Sequence, residues 1–431
     1  MQADKPILQV ALDFVDLDRA LVMAGEAVAG GADWLEAGTP LIKSVGLEAV
    51  RQLKSRYPGH TIVADMKIMD AGRIEVEYAA KAGAGVVSVL AAASDATIAE
   101  CVEAGKHYGV KIVGDLINIA DPVTRARRLE QLGVDYIGVH TPIDVQMLGI
   151  FPFETLRAIA AAVNTPLCVA GGITCETAAD AVASGGHVAV VGGAITKSVD
   201  AKAATQAIRQ ALDTGVAIES KEFRRATADS IRDILAQVSA ANISDAMHRG
   251  GVAPGIYPLR PGMRCYGPAV TVRTAPGDWA KPVEAIDIAG EGDVLVIEVG
   301  GVPPAVWGEL ATTSAKNRKL AGVIIDGAMR DTMDLPALGV PLFCKLTCPN
   351  AGEAKGFGEI NCTVHISGMQ VNPGDWILAD DDGVVVMPKA QAVEIANRAM
   401  NVLESENRLR EEILRGSTLS QVASLLKWEK K

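Results

Sequence analysis

The chain has 431 residues, 49% of them apolar and 22% charged, with 52 acidic groups against 41 basic ones and a formal net charge of −11. That length exceeds one ordinary domain, and that composition excludes an intrinsically disordered chain. The acidic excess disfavours broad nucleic-acid binding; no apolar run reaches the ~18 residues of a membrane span, and the start MQADKPILQVALD lacks the layout of a signal peptide, so a cytoplasmic location is expected.

Short β-rich runs alternate with amphipathic stretches over residues 7–195. The predicted strands are 7–12, 34–37, 61–66, 85–90, 111–115, 136–139, 166–169 and 188–191. Each is a brief apolar run, as in parallel strands buried on both faces. Between them, stretches such as 18–29 and 47–57 repeat apolar residues at helical spacing. Eight such units in about 200 residues is the count for a (β/α)₈ barrel. A doubly wound sheet would place its glycine-rich turn after the first strand. Here the first strand ends in Asp13, and the glycine pairs follow strands seven and eight, which favours the barrel.

A polar segment follows, and the domains are expected at 1–212 and 227–431, joined by a linker over 213–226. The second part begins with a predicted helix over 229–238. Strands are predicted at 269–274, 293–299, 322–326, 340–346, 363–366, 376–379 and 383–387, then a long charged helix over 390–415. This reads as a separate α/β domain. Cys344 and Cys348 have metal-like spacing, but one pair does not complete a four-ligand zinc site.

Barrel active sites lie at the C-terminal ends of the strands. Those positions hold Asp13, Glu36, Asp65, Lys67, Asp70, Asp115 and His140. Carboxylates with a lysine among them suit a hard divalent cation such as Mg²⁺. Gly171-Gly172 and Gly192-Gly193 occupy the two loops where barrels commonly hold a phosphate. Together these point to enediolate chemistry on a sugar phosphate, with Lys67 and the metal stabilising the oxyanion. His140 reads either as the proton-transfer group or as a satisfied core histidine.

The runs LQVALD (8–13), ExGTPLIK (36–43), ADMKIMDAG (64–72), VAGGI (169–173) and VGGAI (191–195) resemble 3-hexulose-6-phosphate synthase, of the orotidine-5′-monophosphate decarboxylase superfamily. The resemblance implies reversible aldol addition of formaldehyde to ribulose 5-phosphate with Mg²⁺ or Mn²⁺. By it, Glu36 and Asp65 ligate the metal, Lys67 stabilises the enediolate and His140 moves the proton. Asp13 lies in the same site, Asp70 completes the site of a partner subunit, and Gly171, Gly172, Gly192, Gly193 and Ala194 hold the phosphate. The related 3-keto-L-gulonate-6-phosphate decarboxylases are the alternative. They typically carry an arginine where this chain has Ile143.

In the second part, Arg330 and Asp331 follow a predicted strand, and Gly308-Glu309-Leu310-Ala311 opens a predicted helix. A helix start and an arginine can hold a carboxylate, and Asp331 can approach a divalent metal. A structural turn with a surface ion pair fits the same residues. ISDAM (243–247), GPAVTV (267–272), GDVLVI (292–297), residues 308–331 and residues 371–388 resemble the regulator of ribonuclease activity A family, which includes 4-hydroxy-4-methyl-2-oxoglutarate aldolases. The resemblance implies an α/β/α-type sandwich and either 2-oxo acid chemistry with a divalent metal or a non-catalytic regulatory or oligomerising module. Homo-oligomers are expected, the barrel as a dimer and the second domain as a trimer or hexamer.

Overall fold

The computed structural model describes residues 5–220 and 223–423. Contacts divide the chain into two compact units. Of the described residues, the first unit holds those up to Gln146, those from Ile150 to Arg224 and those from Glu404 on; the second holds Met147–Gly149 and Arg225–Leu403. This is not the linear division expected around 213–226. The helix Ala201–Thr214 runs past 212. The long helix Ala392–Leu414 is shared between the units, and its side chains give the reason. Its first half is apolar: Ala392, Ile395, Ala396, Ala399 and Met400 pack in a cluster with Ile231 and Leu235. Its later part is charged, and there Arg408 is buried against Glu26 and Glu412.

In the first unit, β1 (Ile7–Leu12), β2 (Trp34–Ala37), β3 (Thr61–Ile68), β4 (Val86–Leu90), β5 (Lys111–Asp115), β6 (Tyr136–His140), β7 (Leu167–Ala170) and β8 (Gly186–Val191) form a closed barrel in chain order. All pairings are parallel, and β8 closes on β1 with Gln9 opposite Val190. Val63, Val86, Val113, Cys168 and Val188 form a cluster, with Trp34 and Tyr136 packed against it. Those two rings meet edge to face at 5.5 Å. The outer helices read as amphipathic for a direct reason. In Leu17–Ala29, capped by the Asp16 carboxylate, Ala20, Leu21, Met23, Ala24 and Ala27 are buried. Small residues allow close packing: a Cβ at Gly30 would lie 2.5 Å from Thr205 Cβ.

One irregularity positions the site. Strand β3 bulges between Ala64 and Ile68, and Lys67 takes a left-handed φ of 47°. A bulge re-aims side chains at a strand's end, and a left-handed lysine there is a held conformation.

The second unit is a mixed sheet. Its strands are β9 (Val252–Ala253), β10 (Tyr257–Pro258), β11 (Cys265–Thr274), β12 (Val294–Glu298), β13 (Gly322–Met329), β14 (Leu342–Thr347), β15 (Gly358–Ile360), β16 (Val364–Ile366), β17 (Met369–Val371), β18 (Trp376–Asp380) and β19 (Gly383–Met387). They run in the order β10-β14-β13-β12-β11-β18-β19-β9, with β15 on β11 and a separate β16–β17 pair. Neighbours from β11 to β14 are parallel. The helix expected over 229–238 is shorter, Ile231–Leu235, and a second helix, Ala240–Ala246, follows it. Ser239 starts the second one: its side chain accepts from the Asn242 N–H, and Asn242 reaches back in a capping box. Among the described residues no helix is long and apolar enough to cross a membrane.

Candidate active site

The C-terminal ends of β1–β6 bring the predicted rim residues of the barrel together, except Asp70. A pocket there is lined by Glu36, Asp65, Lys67, Asp115 and His140, together with Gln9, Ser88 and Cys168. Lys67 Nζ lies 2.6 Å from Asp65 Oδ2 and 3.8 Å from Asp115 Oδ2. His140 Nδ1 is 3.1 Å from Asp115 Oδ2. Asp115 therefore joins the lysine to the histidine. The rim reading placed Asp115 there but gave it no role.

Three further groups were not legible as site residues. Ser88 Oγ donates to Asp65 Oδ1 at 2.8 Å and accepts the Lys67 backbone N–H at 3.0 Å, so one buried hydroxyl ties the bulge to the carboxylate. Thr39 Oγ1 lies 2.7 Å from Asp65 Oδ2. Gln9 Nε2 donates to Glu36 Oε2 at 2.5 Å. The available signal was the polar residue itself: a serine inside VVSVL and a glutamine inside ILQVAL, where buried parallel strands are otherwise apolar.

The charges are unbalanced. Burial drives the Glu36 carboxyl well above its usual range, and the charges of Asp65 and Asp13 push the same way; the Gln9 hydrogen bond and Lys67 oppose them. Burial also pushes Asp65 up. The Lys67 charge and the hydrogen bonds from Lys67, Thr39 and Ser88 outweigh it and hold that carboxyl below its usual value. Lys67 is pulled down by burial but ends above its usual value, chiefly through Asp65. Loss of hydration raises Asp13, with Asp65 adding to it and Lys67, His140 and Lys197 opposing. Asp13 keeps a solvent-exposed surface at the rim, and its shift is milder than that of Glu36.

This surplus of carboxylate oxygen over cation is the donor set a hard divalent ion takes. No group of three or more His, Cys, Asp or Glu able to hold a metal occurs among the described residues. Mg²⁺ often takes only one or two carboxylates and completes its shell with water and substrate oxygens, so the Glu36–Asp65 pair fits.

The glycines lie close by. Gly171 and Gly172 have φ of 105° and 72°, and a Cβ at Gly171 would come within 2.7 Å of the Thr141 carbonyl. Gly192 stands beside Asp13, 3.6 Å from Oδ2 for an added Cβ, and precedes the short helix Gly193–Thr196 that contains Ala194. Gly38 leaves room for Asp13: a Cβ there would fall 2.2 Å from Oδ1. Asp70 is outside the pocket lining, exposed, with Oδ1 accepting the Ala71 N–H.

In the second unit all six predicted residues meet at the end of β13. Gly308 caps the helix Glu309–Asn317, and the Glu309 N–H donates to Asp331 Oδ2 at 3.1 Å. Arg330 Nε lies 3.6 Å from the same oxygen. Asp331 has a φ of 61°, and a Cβ at Gly308 would sit 2.4 Å from its carboxylate. Leu310 is 80% exposed beside this turn, and Ala311 is half-buried. The arrangement serves as a helix cap as it stands.

A closed eight-stranded parallel barrel with carboxylates, a lysine and a histidine at its C-terminal rim defines an α/β-barrel enzyme. The chain belongs to the orotidine 5′-phosphate decarboxylase / HUMPS family over residues 6–208, and residues 240–386 form a domain of the aldolase/RraA (RraA-like) family. It is 39% identical over 209 residues to the 3-hexulose-6-phosphate synthase of Bacillus subtilis, spanning 48% of this chain and 99% of that protein. It is 40% identical over 205 residues to the 3-hexulose-6-phosphate synthase of Mycobacterium gastri, spanning 48% and 99%. A solved structure of a 3-hexulose-6-phosphate synthase matches 49% of this chain and 100% of its own, with 38% identity and a TM-score of 0.46.

Proposed function

We propose that the barrel is a 3-hexulose-6-phosphate synthase, joining formaldehyde to C1 of ribulose 5-phosphate, reversibly. The observation that carries this is the Asp65–Lys67–Asp115–His140 chain of contacts at the rim, 2.6, 3.8 and 3.1 Å in turn, beside two glycine-rich turns. The identity to synthases over nearly their whole length supports it.

His140 takes a proton from C1 of the ketose, leaving an enediolate. Asp115 accepts from Nδ1 and so turns Nε2 toward the pocket. Lys67 stabilises the oxyanion that develops. C1 then attacks the formaldehyde carbon: a C–C bond forms, the C2 carbonyl of the ketose is restored, and the formaldehyde oxygen takes up the proton that His140 carries. Glu36 and Asp65 would hold Mg²⁺, which when bound supplies Lewis-acid stabilisation of substrate oxygens. The backbone of Gly171–Gly172 and Gly192–Ala194 would grip the phosphate through its N–H groups. Ile143 favours this reading over a keto-gulonate-phosphate decarboxylase, because an aliphatic side chain there gives a substrate carboxylate no partner.

The test is formaldehyde loss in the presence of ribulose 5-phosphate and Mg²⁺. Turnover is expected from the native chain, and a loss of at least about a hundredfold in Asp65→Ala. Failure to consume formaldehyde, with release of carbon dioxide from 3-keto-L-gulonate 6-phosphate, would replace this reading with the decarboxylase.

For the second unit we propose class II chemistry on a 2-oxo acid. Arg330 would take the carboxylate and Asp331 would hold a divalent metal directly or through water. The half-exposed Arg330 beside a helix start supports it. Pyruvate release from 4-hydroxy-4-methyl-2-oxoglutarate or oxaloacetate should be abolished by Asp331→Ala; a native chain that releases none leaves the helix cap as the role of that pair.

A further inference from the structure

Arg408 lies far from the barrel motifs in sequence and is buried within the barrel unit, with 4% of its surface exposed. A buried guanidinium needs partners for its fork of donors. Nη2 and Nη1 grip both oxygens of Glu26, at 2.8 and 3.1 Å, and Nε donates to Glu412 at 2.8 Å. Glu412 in turn pairs with Arg19 at 3.2 Å. Arg408 Nη1 also donates to the carbonyls of Ser198 and Val199, at 3.3 and 3.2 Å.

Those two carbonyls lie just past Lys197, the C-cap of the helix Gly193–Thr196. Carbonyls turned away from water need donors, and Arg408 supplies one to each. The turn from Gly192 to Val199 thus has two fixed ends. One is β8. The other is Arg408, itself locked by carboxylates on two helices.

We infer that Arg408 is a positioning residue for the barrel's phosphate grip, holding the Gly192–Val199 turn in place from the chain's last long helix. This rests on the reading of Gly192–Ala194 as a phosphate site. Arg408 touches no substrate; it acts by setting where the Gly193 and Ala194 backbone stands. A four-residue helix is one rigid turn, so displacement of Ser198–Val199 carries to its start.

The test compares full-length Arg408→Met and Arg408→Lys with Arg209→Met. Arg209 is a buried control, paired with Asp33 at 2.7 Å and Asp213 at 2.6 Å, neither of them on this turn. Two readouts are taken: inorganic phosphate binding by calorimetry, and amide hydrogen exchange over residues 193–199. Arg408→Met should weaken phosphate binding about tenfold and raise the KM for ribulose 5-phosphate similarly, with the KM for formaldehyde unchanged. Exchange over 193–199 should quicken by at least about tenfold, and lysine should restore part of each effect. Arg209→Met should lower stability and leave both readouts alone. Unchanged exchange over 193–199 in Arg408→Met, or equal phosphate losses in both methionine variants, overturns the inference. A native chain that binds phosphate in an Arg408-dependent way but does not condense formaldehyde would overturn the synthase reading and leave this inference standing.

Discussion

Lys67→Met should lower kcat/KM for ribulose 5-phosphate with formaldehyde by at least about a thousandfold, mostly in kcat. Lys67 is the cation that touches Asp65 and Asp115, and the oxyanion it would stabilise exists only after proton removal. An interaction made only in the transition state shows in kcat rather than in KM. The substitution keeps the side chain's length and apolar stem, so the bulge of β3 keeps its packing. The same change reaches stability through Asp65. That carboxyl sits below its usual value because Lys67, Thr39 and Ser88 outweigh its burial. A depressed acid contributes stability above its unfolded value near 3.8, lost as pH falls through the lower folded value. Lys67, raised above 10.5, contributes stability below that value, lost as pH rises through the higher one. Both contributions leave together in Lys67→Met. Breaking a buried pair costs about 3–5 kcal/mol; with the Lys67 side chain 27% exposed, about 1–2 kcal/mol is expected near pH 7. Steady-state kinetics beside a denaturation curve check both. A variant retaining a tenth of native turnover would remove Lys67 from the chemistry.

The barrel was legible because its strands are short apolar runs ended by charged residues, and the first strand stops at Leu12, immediately before Asp13. Rim residues follow from strand ends alone. What holds them does not. Ser88 lies 23 residues from Asp65, and Gln9 lies 27 from Glu36; these contacts exist only once neighbouring strands fall into register. The bulge at Asp65–Lys67 left no mark in the apolar pattern, since it displaces one polar pair. In the second unit the mid-strand runs were plain, whereas the short antiparallel pieces β9, β10, β15 and β17 have two or three residues each and no period to read. Arg408 was hidden for the opposite reason. A charged stretch such as ENRLREE reads as a solvated helix face, and only partners from the distant residues Glu26 and Ser198 turn it into a buried one.

Glu36→Gln should make the barrel more stable while removing at least about a hundredfold of its activity. Glu36 is 7% exposed, and burial, then Asp65, then Asp13, raises its carboxyl well above 4.5. For an acid raised in the folded state, stability is fully present below the unfolded value and is lost as pH rises through the folded one. At pH 8 the native chain therefore bears a cost the unfolded chain does not, either of a buried charge among like charges or of holding a proton there. A neutral amide of the same shape removes that cost and still accepts from Gln9 Nε2. The expected gain is about 1–3 kcal/mol at pH 8, shrinking toward zero at pH 4, where the carboxyl is protonated in both states. The two units need not unfold together, so the transition to follow is the one that ribulose 5-phosphate shifts. Mg²⁺ should raise that transition in the native chain more at pH 8 than at pH 5, because a cation is favoured most where the carboxylates are charged. Glu36→Gln should lose most of that response. A variant no more stable at pH 8 than the native chain would mean that the crowding of Asp13, Glu36 and Asp65 is relieved within the protein itself, and the electrostatic case for a divalent ion at this rim would fall with it.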